Sequence, residues 1–511
     1  MVFSASMLSS WYKAVLASSF VFTVALLASI VAYRLSPFHP LSKYPGPYIC
    51  KISKIWTAWI AVEGKLHLYH QDLHRRYGPI VRVGPNELSI VDADLVPAIL
   101  GVNGMPKGPL WDGRRITPSK ELTKANVNNL IGNRDSVRHA QLRKPWNRAF
   151  GPSPMQDYVE SLVARGGQFA EALEIICKSS PKGIGHVDIA KYFSFLSFDF
   201  MGDMAFGGGF ELLRDGDKNK WRENMENALI LPSISQHIPW AAAAIRSIPL
   251  GTGSMRNFGA FAVAQAKRRS TQESTKKDLF YHLAVQTDDG SDKPPFPLII
   301  SNATLAIIAG SDTTASVLSN IVYYLVRYPE YLRRLQEDLD KRFPEYSAID
   351  LDQLSHIELL TMIINEALRL QPPVPTSLQR APAIGSGGKA VGNMFIPEGT
   401  AVVIPPYTLH RDPRYFSPQP EKFWPERWAE KEQGIINNRS AFIPFSYGPA
   451  NCAGKPLAML ELRFLMTTLV RKFDMSFDEG YDPDQWERDL KDRFVLSKGE
   501  LPIKLSLRHD Q

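Results

Sequence analysis

Phe445-Ser446-Tyr447-Gly448-Pro449-Ala450-Asn451-Cys452-Ala453-Gly454 is a loop marked by glycine and proline, and it runs into an apolar stretch from Leu457 to Phe473. That stretch reads as a buried helix, and Cys452 stands where the helix begins. The first N–H groups of a helix have no partner within it, and its positive end favours an anion. A cysteine placed there leans towards the thiolate. Gly448 permits a tight turn and Gly454 a close approach. A lone thiolate suits an axial iron ligand. Zinc would need several more ligands, and the other cysteines, Cys50 and Cys177, are scattered along the chain. Taken alone, a cysteine at a helix start is more often structural.

Three further stretches stand out. The helical run from about Leu298 to Tyr328 spans ~45 Å at 1.5 Å per residue, enough to cross a domain. It contains Ala309-Gly310-Ser311-Asp312-Thr313-Thr314. Gly-Ser inside a helix invites a kink or bulge, or else Ser311 or Asp312 caps a second helix. Glu366 and Arg369 share a helix face at i, i+3 within the apolar run LLTMIINEALRL, so their charges can pair out of water. A buried arginine must be paired, because the unpaired charge is very costly. Two strand pairs are expected: Ile80–Val83 with Glu87–Val91, around Gly84-Pro85-Asn86, and Met394–Ile396 with Ala401–Ile404, around Pro397-Glu398-Gly399. Helical periodicity dominates elsewhere, so this is a helix-rich body with small sheets.

The chain of 511 residues is 44% hydrophobic and 22% charged, which argues against disorder and against a multi-span membrane protein. Three cysteines exclude a disulfide framework and fit a reducing compartment. The net charge is +7, yet there is no dense basic stripe and no nucleic-acid motif, so no nucleic-acid partner is expected. Residues 14–33, AVLASSFVFTVALLASIVAY, carry no charge over 20 positions. That is ~30 Å of helix, the thickness of a bilayer core and longer than the apolar core of a cleaved signal peptide. Arg34, Lys43, Lys51 and Lys54 follow it and place the body in the cytosol. Pro37, Pro40, Pro45 and Pro47 then predict a stiff, extended linker.

The decapeptide around Cys452 resembles the heme-binding loop of the cytochrome P-450 family, F-x-x-G-x-R-x-C-x-G. The other marks follow in the family's order, and the whole is similar to fungal microsomal members. The resemblance implies a mainly α fold with small β-sheets, the cytochrome P-450 fold, preceded by one N-terminal transmembrane helix. It divides the chain into a tail (1–13), an anchor (14–33), a proline-rich linker (34–50) and a heme-thiolate catalytic domain (51–511). The cofactor implied is heme b with Cys452 as axial ligand, cradled by Phe445, Gly448 and Gly454. Asp312 and Thr313 are implied as the catalytic pair, Thr313 bonding dioxygen and Asp312 passing protons inward. Glu366 and Arg369 are implied as a structural ion network completed by Arg427, from Phe423-Trp424-Pro425-Glu426-Arg427-Trp428. His139, Arg143 and Arg380 are implied contacts of the heme propionates. One position departs: Ala450 fills the slot usually held by an Arg or His that also contacts a propionate.

By the same resemblance, substrate would touch residues 110–128, 232–253, Ile308, Ala309, Val374–Leu378 and Phe494–Leu496. These are largely apolar, so the substrate is lipophilic. The activity implied is a monooxygenase of the endoplasmic reticulum membrane, single-pass, with its catalytic domain in the cytosol. Its partners would be an NADPH-cytochrome P-450 reductase and cytochrome b5, in secondary metabolism or xenobiotic oxidation. Two alternatives stay open: an isomerase or dehydratase of the same fold that needs no reductase, and a non-enzymatic heme electron carrier.

Overall fold

The computed structural model describes residues 5–114, 129–242, 244, 253–272, 277–284, 294–344, 348–429 and 434–508. Helix α1 (Ala5–Leu35) opens the chain, and its apolar length from Trp11 to Leu35 is wholly unburied. The proline-rich stretch after it differs from an extended spacer. It folds into turns that bury Leu41 and Tyr44, and Arg34 Nη1 donates to Ile52 O at 2.6 Å.

The body is built on helices α2 (Leu110–Arg114), α3 (Ser136–Ala149), α4 (Pro152–Ser179), α5 (Ile189–Phe206), α6 (Trp221–Ser235), α7 (Phe296–Arg327), α8 (Glu358–Leu370) and α9 (Lys455–Lys472). Helix α7 is the central beam. Pro297 sits in its first turn, where a missing N–H costs nothing, and Tyr328 leaves the helical region because Pro329 follows. Its one charged residue before Arg327 is Asp312. Helix α5 lies along α7 and is buried almost throughout, with Phe193, Phe198, Phe200 and Phe206 in the core. It starts under the Asp188 cap, which accepts from Lys191 N, and stops at Gly207 in the left-handed region.

No second helix starts at Ser311 or Asp312, and the α-helical hydrogen bonding is not interrupted at Gly310-Ser311. The helix runs through as one piece, with the Ser311 and Thr313 hydroxyls donating back to Ile307 O at 2.5 Å and Ala309 O at 2.7 Å. The reason for glycine here is α5: a Cβ at Gly310 would stand 2.7 Å from Met201 Cε.

The main sheet has the order β1 (Ile80–Gly84), β2 (Glu87–Ile90), β6 (Ala401–Ile404), β3 (Leu378–Arg380), with β2 and β6 parallel and the other pairs antiparallel. A two-stranded hairpin joins β4 (Gly388–Val391) to β5 (Met394–Pro397), and another joins β7 (Lys491–Arg493) to β8 (Val495–Ser497). The first expected hairpin is present. The second is not a pair: Met394–Pro397 turns back on Gly388–Val391 through Gly392, whose φ is +56°, as a two-residue hairpin requires. Ala401–Ile404, buried at every position, goes instead to the middle of the main sheet. Of the segments expected to touch substrate, residues 115–128, 243 and 245–252 lie outside the described residues.

Candidate functional site

The cysteine loop is closed by its own backbone. Cys452 N donates to Phe445 O at 2.9 Å, and Asn451 N donates to Gly448 O at 3.0 Å. Gly448 has φ +71°, and a Cβ there would stand 2.8 Å from Gly101 Cα, so the turn and the packing both demand glycine. Gly454 is different. It caps α9 with an ordinary φ of −83°, and an added Cβ would make only a 3.6 Å contact with Phe150. Packing within the chain does not account for a glycine there. Phe445 is half-buried, with Lys455 Nζ 5.6 Å from its ring centre.

Cys452 is open to a water-sized probe, yet enough of the protein lies around it for burial to dominate its electrostatics, so the residue borders a recess of the fold rather than its outer surface. Burial pushes its thiol up. The N–H of Gly454, the charge of Arg143 and the charge and N–H of Lys455 pull the other way and lose. The helix start alone therefore does not hold a thiolate; a bound cation would. On α7, Ala309 is likewise open in the middle of a helix whose neighbours Ala306, Ile307, Ser311 and Asp312 are buried.

Beside this space four basic side chains converge. His139 and Arg143 come from α3, Arg380 from β3, and Lys107 from the strand-like bridge it makes with Arg380. Lys107, His139 and Arg380 are buried, and among the described residues none of the four lies within ion-pair distance of a carboxylate. Lys107 Nζ donates to Leu130 O at 2.9 Å and Ile131 O at 2.7 Å; Arg380 Nη1 donates to Gln379 O at 3.0 Å. Arg143 reaches the cysteine loop itself, with Nη1 on Asn451 O at 2.5 Å and Nη2 on Asn451 Oδ1 at 2.8 Å.

Burial, then the charges of Arg380 and Arg143, drive Lys107 well below the usual lysine range. Burial lowers Arg380 to about 10. Burial and the three neighbouring cations lower His139 to about 4, so in the chain alone its imidazole is neutral. The Trp111 indole N–H is buried and unpartnered among the described residues, with Lys107 Nζ 5.3 Å from its ring centre. Buried cations and an orphaned donor without an anion are costly. This is the complement of a group carrying two carboxylates, and with an open cysteine beside it the site fits heme.

The sequence reading missed Lys107. Met105-Pro106-Lys107-Gly108-Pro109 carries no motif, and only the bridge to distant Arg380 brings it into the cluster.

Asp312 is buried, and Lys498 Nζ, just past β8, stands 4.0 Å from its Oδ1. Burial raises the carboxyl from 3.8 to about 6; Lys498 and Arg222 lower it, and Glu226 raises it. Thr313, the next residue, turns to the more open side of α7. Lys498 also lines a surface cavity of about 510 Å³ with Tyr481, Gln485 and Asp489. Glu366, Arg369 and Arg427 form one fully buried cluster. Arg369 Nε and Nη2 each bond the Glu366 carboxylate at 2.8 Å, and Arg427 Nε bonds it at 3.1 Å.

The sequence model of the family described as Cytochrome P450 matches residues 45–506. Cytochrome P450 monooxygenase FCK2 of Fusarium pseudograminearum is 33% identical over 510 residues, covering 98% of this chain and 88% of the relative. Tryprostatin B 6-hydroxylase of Aspergillus fumigatus is 31% identical over 499 residues (96% and 84%). Cytochrome P450 monooxygenase phqL of Penicillium fellutanum is 30% identical over 494 residues (95% and 83%). An open cysteine before a core helix, a nest of buried cations and these matches along nearly the whole chain agree: the protein belongs to the cytochrome P450 family.

Proposed function

We propose that the protein is a membrane-anchored monooxygenase that inserts one atom of dioxygen into a lipophilic small molecule. Electrons would come from NADPH through a cytochrome P450 reductase, with cytochrome b5 as an accessory donor. The observation that carries this reading is the open Cys452 beside four basic groups that lack an anion. The names of the relatives, a tryprostatin B 6-hydroxylase among them, support a place in fungal secondary metabolism.

When bound, heme b with a thiolate ligand supplies dioxygen activation, since thiolate donation favours O–O cleavage. The chain's own residues do the rest. The sulfur of Cys452 would hold the iron, with the N–H groups of Gly454 and Lys455 turned towards it. Lys107, His139, Arg143 and Arg380 take the two carboxylates. Ala309, open on α7, would leave room for dioxygen, and the Thr313 hydroxyl, resting on Ala309 O, would supply a hydrogen bond to it. Asp312 holds the proton that is passed inward. Glu366, Arg369 and Arg427 are structural. An electron carrier would need a second axial ligand, and α7 contains no histidine, methionine or cysteine. An isomerase or dehydratase would have no use for Asp312 and Thr313.

The test is turnover with a co-expressed reductase, together with the spectrum of the reduced protein under carbon monoxide. A strongly red-shifted band is expected, and Cys452→Ser abolishes it, because an alcohol cannot donate as a thiolate does. A normal band in the serine variant rejects Cys452 as the ligand.

The setting of Asp312 adds a pH dependence. With its carboxyl near 6, the proton it donates is present below that pH and thins out above it. Lys498→Met removes a charge that lowers this value, so the inflection in coupled product formation moves to higher pH. An inflection that stays in place separates Lys498 from the proton supply.

The anchor reading covers residues 14–33, between the tail (1–13) and the linker (34–50), and places the catalytic domain (51–511) on the cytosolic face of the endoplasmic reticulum. Ten Val, Leu, Ile and Phe residues in the span favour insertion by roughly 0.3–0.6 kcal/mol each. Leu27→Arg at the centre costs about 3 kcal/mol and leaves insertion marginal. Carbonate extraction should release that variant from membranes with its heme intact; retention in the pellet rejects the span as the tether.

A further inference from the structure

Arg114 ends α2 where that helix meets the C-terminal end of α6 and the β7–β8 turn. Gly113 lets the helices close in: a Cβ there would stand 2.7 Å from Gln236 Cα, and the Ser235 hydroxyl donates to Gly113 O at 2.8 Å. The Arg114 guanidinium lies 4.0 Å from the ring centre of Phe494, and its Nη1 donates to Gln236 Oε1 at 2.8 Å. Among the described residues this is its one hydrogen bond, although a guanidinium carries five N–H donors. No carboxylate of the described residues lies within 4.0 Å. Asp492 is the acid that acts on its charge, and the Asp492 oxygens are taken by the Thr376 hydroxyl and by Phe494 N at 3.0 Å. Burial lowers Arg114 from 12.5 to about 10, and Asp492 restores only part, so the group is cationic at neutral pH and poorly solvated.

The surroundings tie Arg114 to the reaction site. Phe494 stands at the tip of the β7–β8 turn with φ +84°, a conformation that costs a non-glycine residue about 1–3 kcal/mol and is kept where surrounding structure enforces it. The enforcement comes from Leu496, whose N donates to Pro373 O at 2.9 Å and whose O accepts from the Ser316 hydroxyl of α7 at 3.0 Å. Ser316 is one helical turn beyond Thr313. On its other side Phe494 packs edge-on against Trp111 at 5.4 Å, and Trp111 carries Lys107 of the cation cluster. One aromatic layer thus runs from the proposed heme carboxylate site to Arg114.

An arginine needed only to tie α2 to α6 through Gln236 would be served as well by a neutral donor, without a desolvated charge. A planar fork with N–H groups that no described residue takes, fixed on an aromatic face, matches the two oxygens of a carboxylate. We infer that Arg114 anchors a carboxylate on the substrate, so that the protein selects lipophilic acids and holds them by the end remote from the oxidised carbon. This rests on the monooxygenase reading above and narrows its substrate class.

The experiment is spectral binding titration of the heme-loaded full chain with dodecanoic acid and 1-pyrenebutyric acid, each against its methyl ester. The acids are expected to bind about tenfold more tightly or better, as a charge-assisted pair of hydrogen bonds implies. Arg114→Met should erase that preference and Arg114→Lys should keep part of it. Equal affinities of acid and ester in the wild type overturn the proposal, as does a preference that survives in Arg114→Met or the absence of any saturable shift with either acid. If Arg114→Met does not fold, the wild-type comparison and Arg114→Lys decide. Failure of the monooxygenase reading itself looks different: the carbon monoxide band is then missing in the wild type.

Discussion

The double variant Lys107→Met/Arg380→Met is expected to purify largely free of heme, while each single variant loses part of its occupancy. Each charge-assisted hydrogen bond to a carboxylate is worth about 1.5–3 kcal/mol. Two such bonds amount to about 3–6 kcal/mol, or roughly two to four powers of ten in affinity. Few other donors replace them, because Ala450 offers no side-chain donor and Arg143, which already gives three of its five N–H groups to Asn451 and Asn147, has only two left for the carboxylates. A second, opposite effect separates this from simple misfolding. In the heme-free chain Lys107 and Arg380 are basic groups held out of water, and the charge of Arg380 lowers Lys107 further, so removing them relieves a cost. The heme-free double variant should unfold at a temperature no lower than the heme-free wild type. Ala450→Arg should return part of the heme to Lys107→Met, since it adds a guanidinium two residues from Cys452. The checks are pyridine haemochrome per protein chain and thermal unfolding of the heme-free forms. Full occupancy in the double variant would remove both residues from the carboxylate site.

What could be read ahead of the structure follows from how local each signal is. Glu366 and Arg369 declare themselves, because an i, i+3 pair inside an apolar helix has nowhere else to put its charges. The position of Cys452 before α9 is equally local, since loop, cap and apolar run are contiguous. Its protonation was not legible: the helix start favours a thiolate, and burial, which depends on the whole fold, outweighs it. Met394–Pro397 and Ala401–Ile404 were recognisable as strands from their β-branched and apolar runs. Their partners were not, because pairing depends on which turn closes and on which strand can be buried on both faces. Gly310 read as a weak point of its helix, whereas the structure shows that Met201 of α5 takes the space a side chain there would fill. Lys107 and Lys498 carry no sequence signal at all. Each matters through a residue far away in the chain, Arg380 in one case and Asp312 in the other.

Glu366→Gln is expected to be the most damaging conservative change in the protein, costing about 3–5 kcal/mol against a total stability of roughly 5–15 kcal/mol. One carboxylate serves two guanidiniums and two further donors, Trp424 N at 2.9 Å and the Trp428 indole at 3.0 Å, with none of these charges exposed. Burial alone would raise the Glu366 carboxyl. The charges and hydrogen bonds of Arg369, then the charge of Arg427, hold it below the ordinary carboxylate range instead. Its stabilisation is therefore present at every pH above that range and is lost only as acid titrates the folded form. An amide keeps the volume and most of the geometry but leaves Arg369 and Arg427 buried with no counter-charge. The two arginines differ in rank. Arg369 makes both short bonds to the carboxylate and also holds His410 O, Pro420 O and Lys422 O, which ties the segment before Trp424 to α8. Arg427 makes one bond to the carboxylate, at 3.1 Å, and two to Pro418 O at 3.3 Å and Gln419 O at 3.1 Å, with Nη1 unpartnered among the described residues. Arg369→Lys, which cannot span five acceptors, should approach Glu366→Gln in effect, and Arg427→Lys should fall well short of both. Thermal unfolding and the yield of soluble, heme-loaded protein measure the series. A Glu366→Gln protein with wild-type stability, or Arg427→Lys as the worst of the three, would mean that backbone packing rather than this ion network holds residues 418–428 against α8.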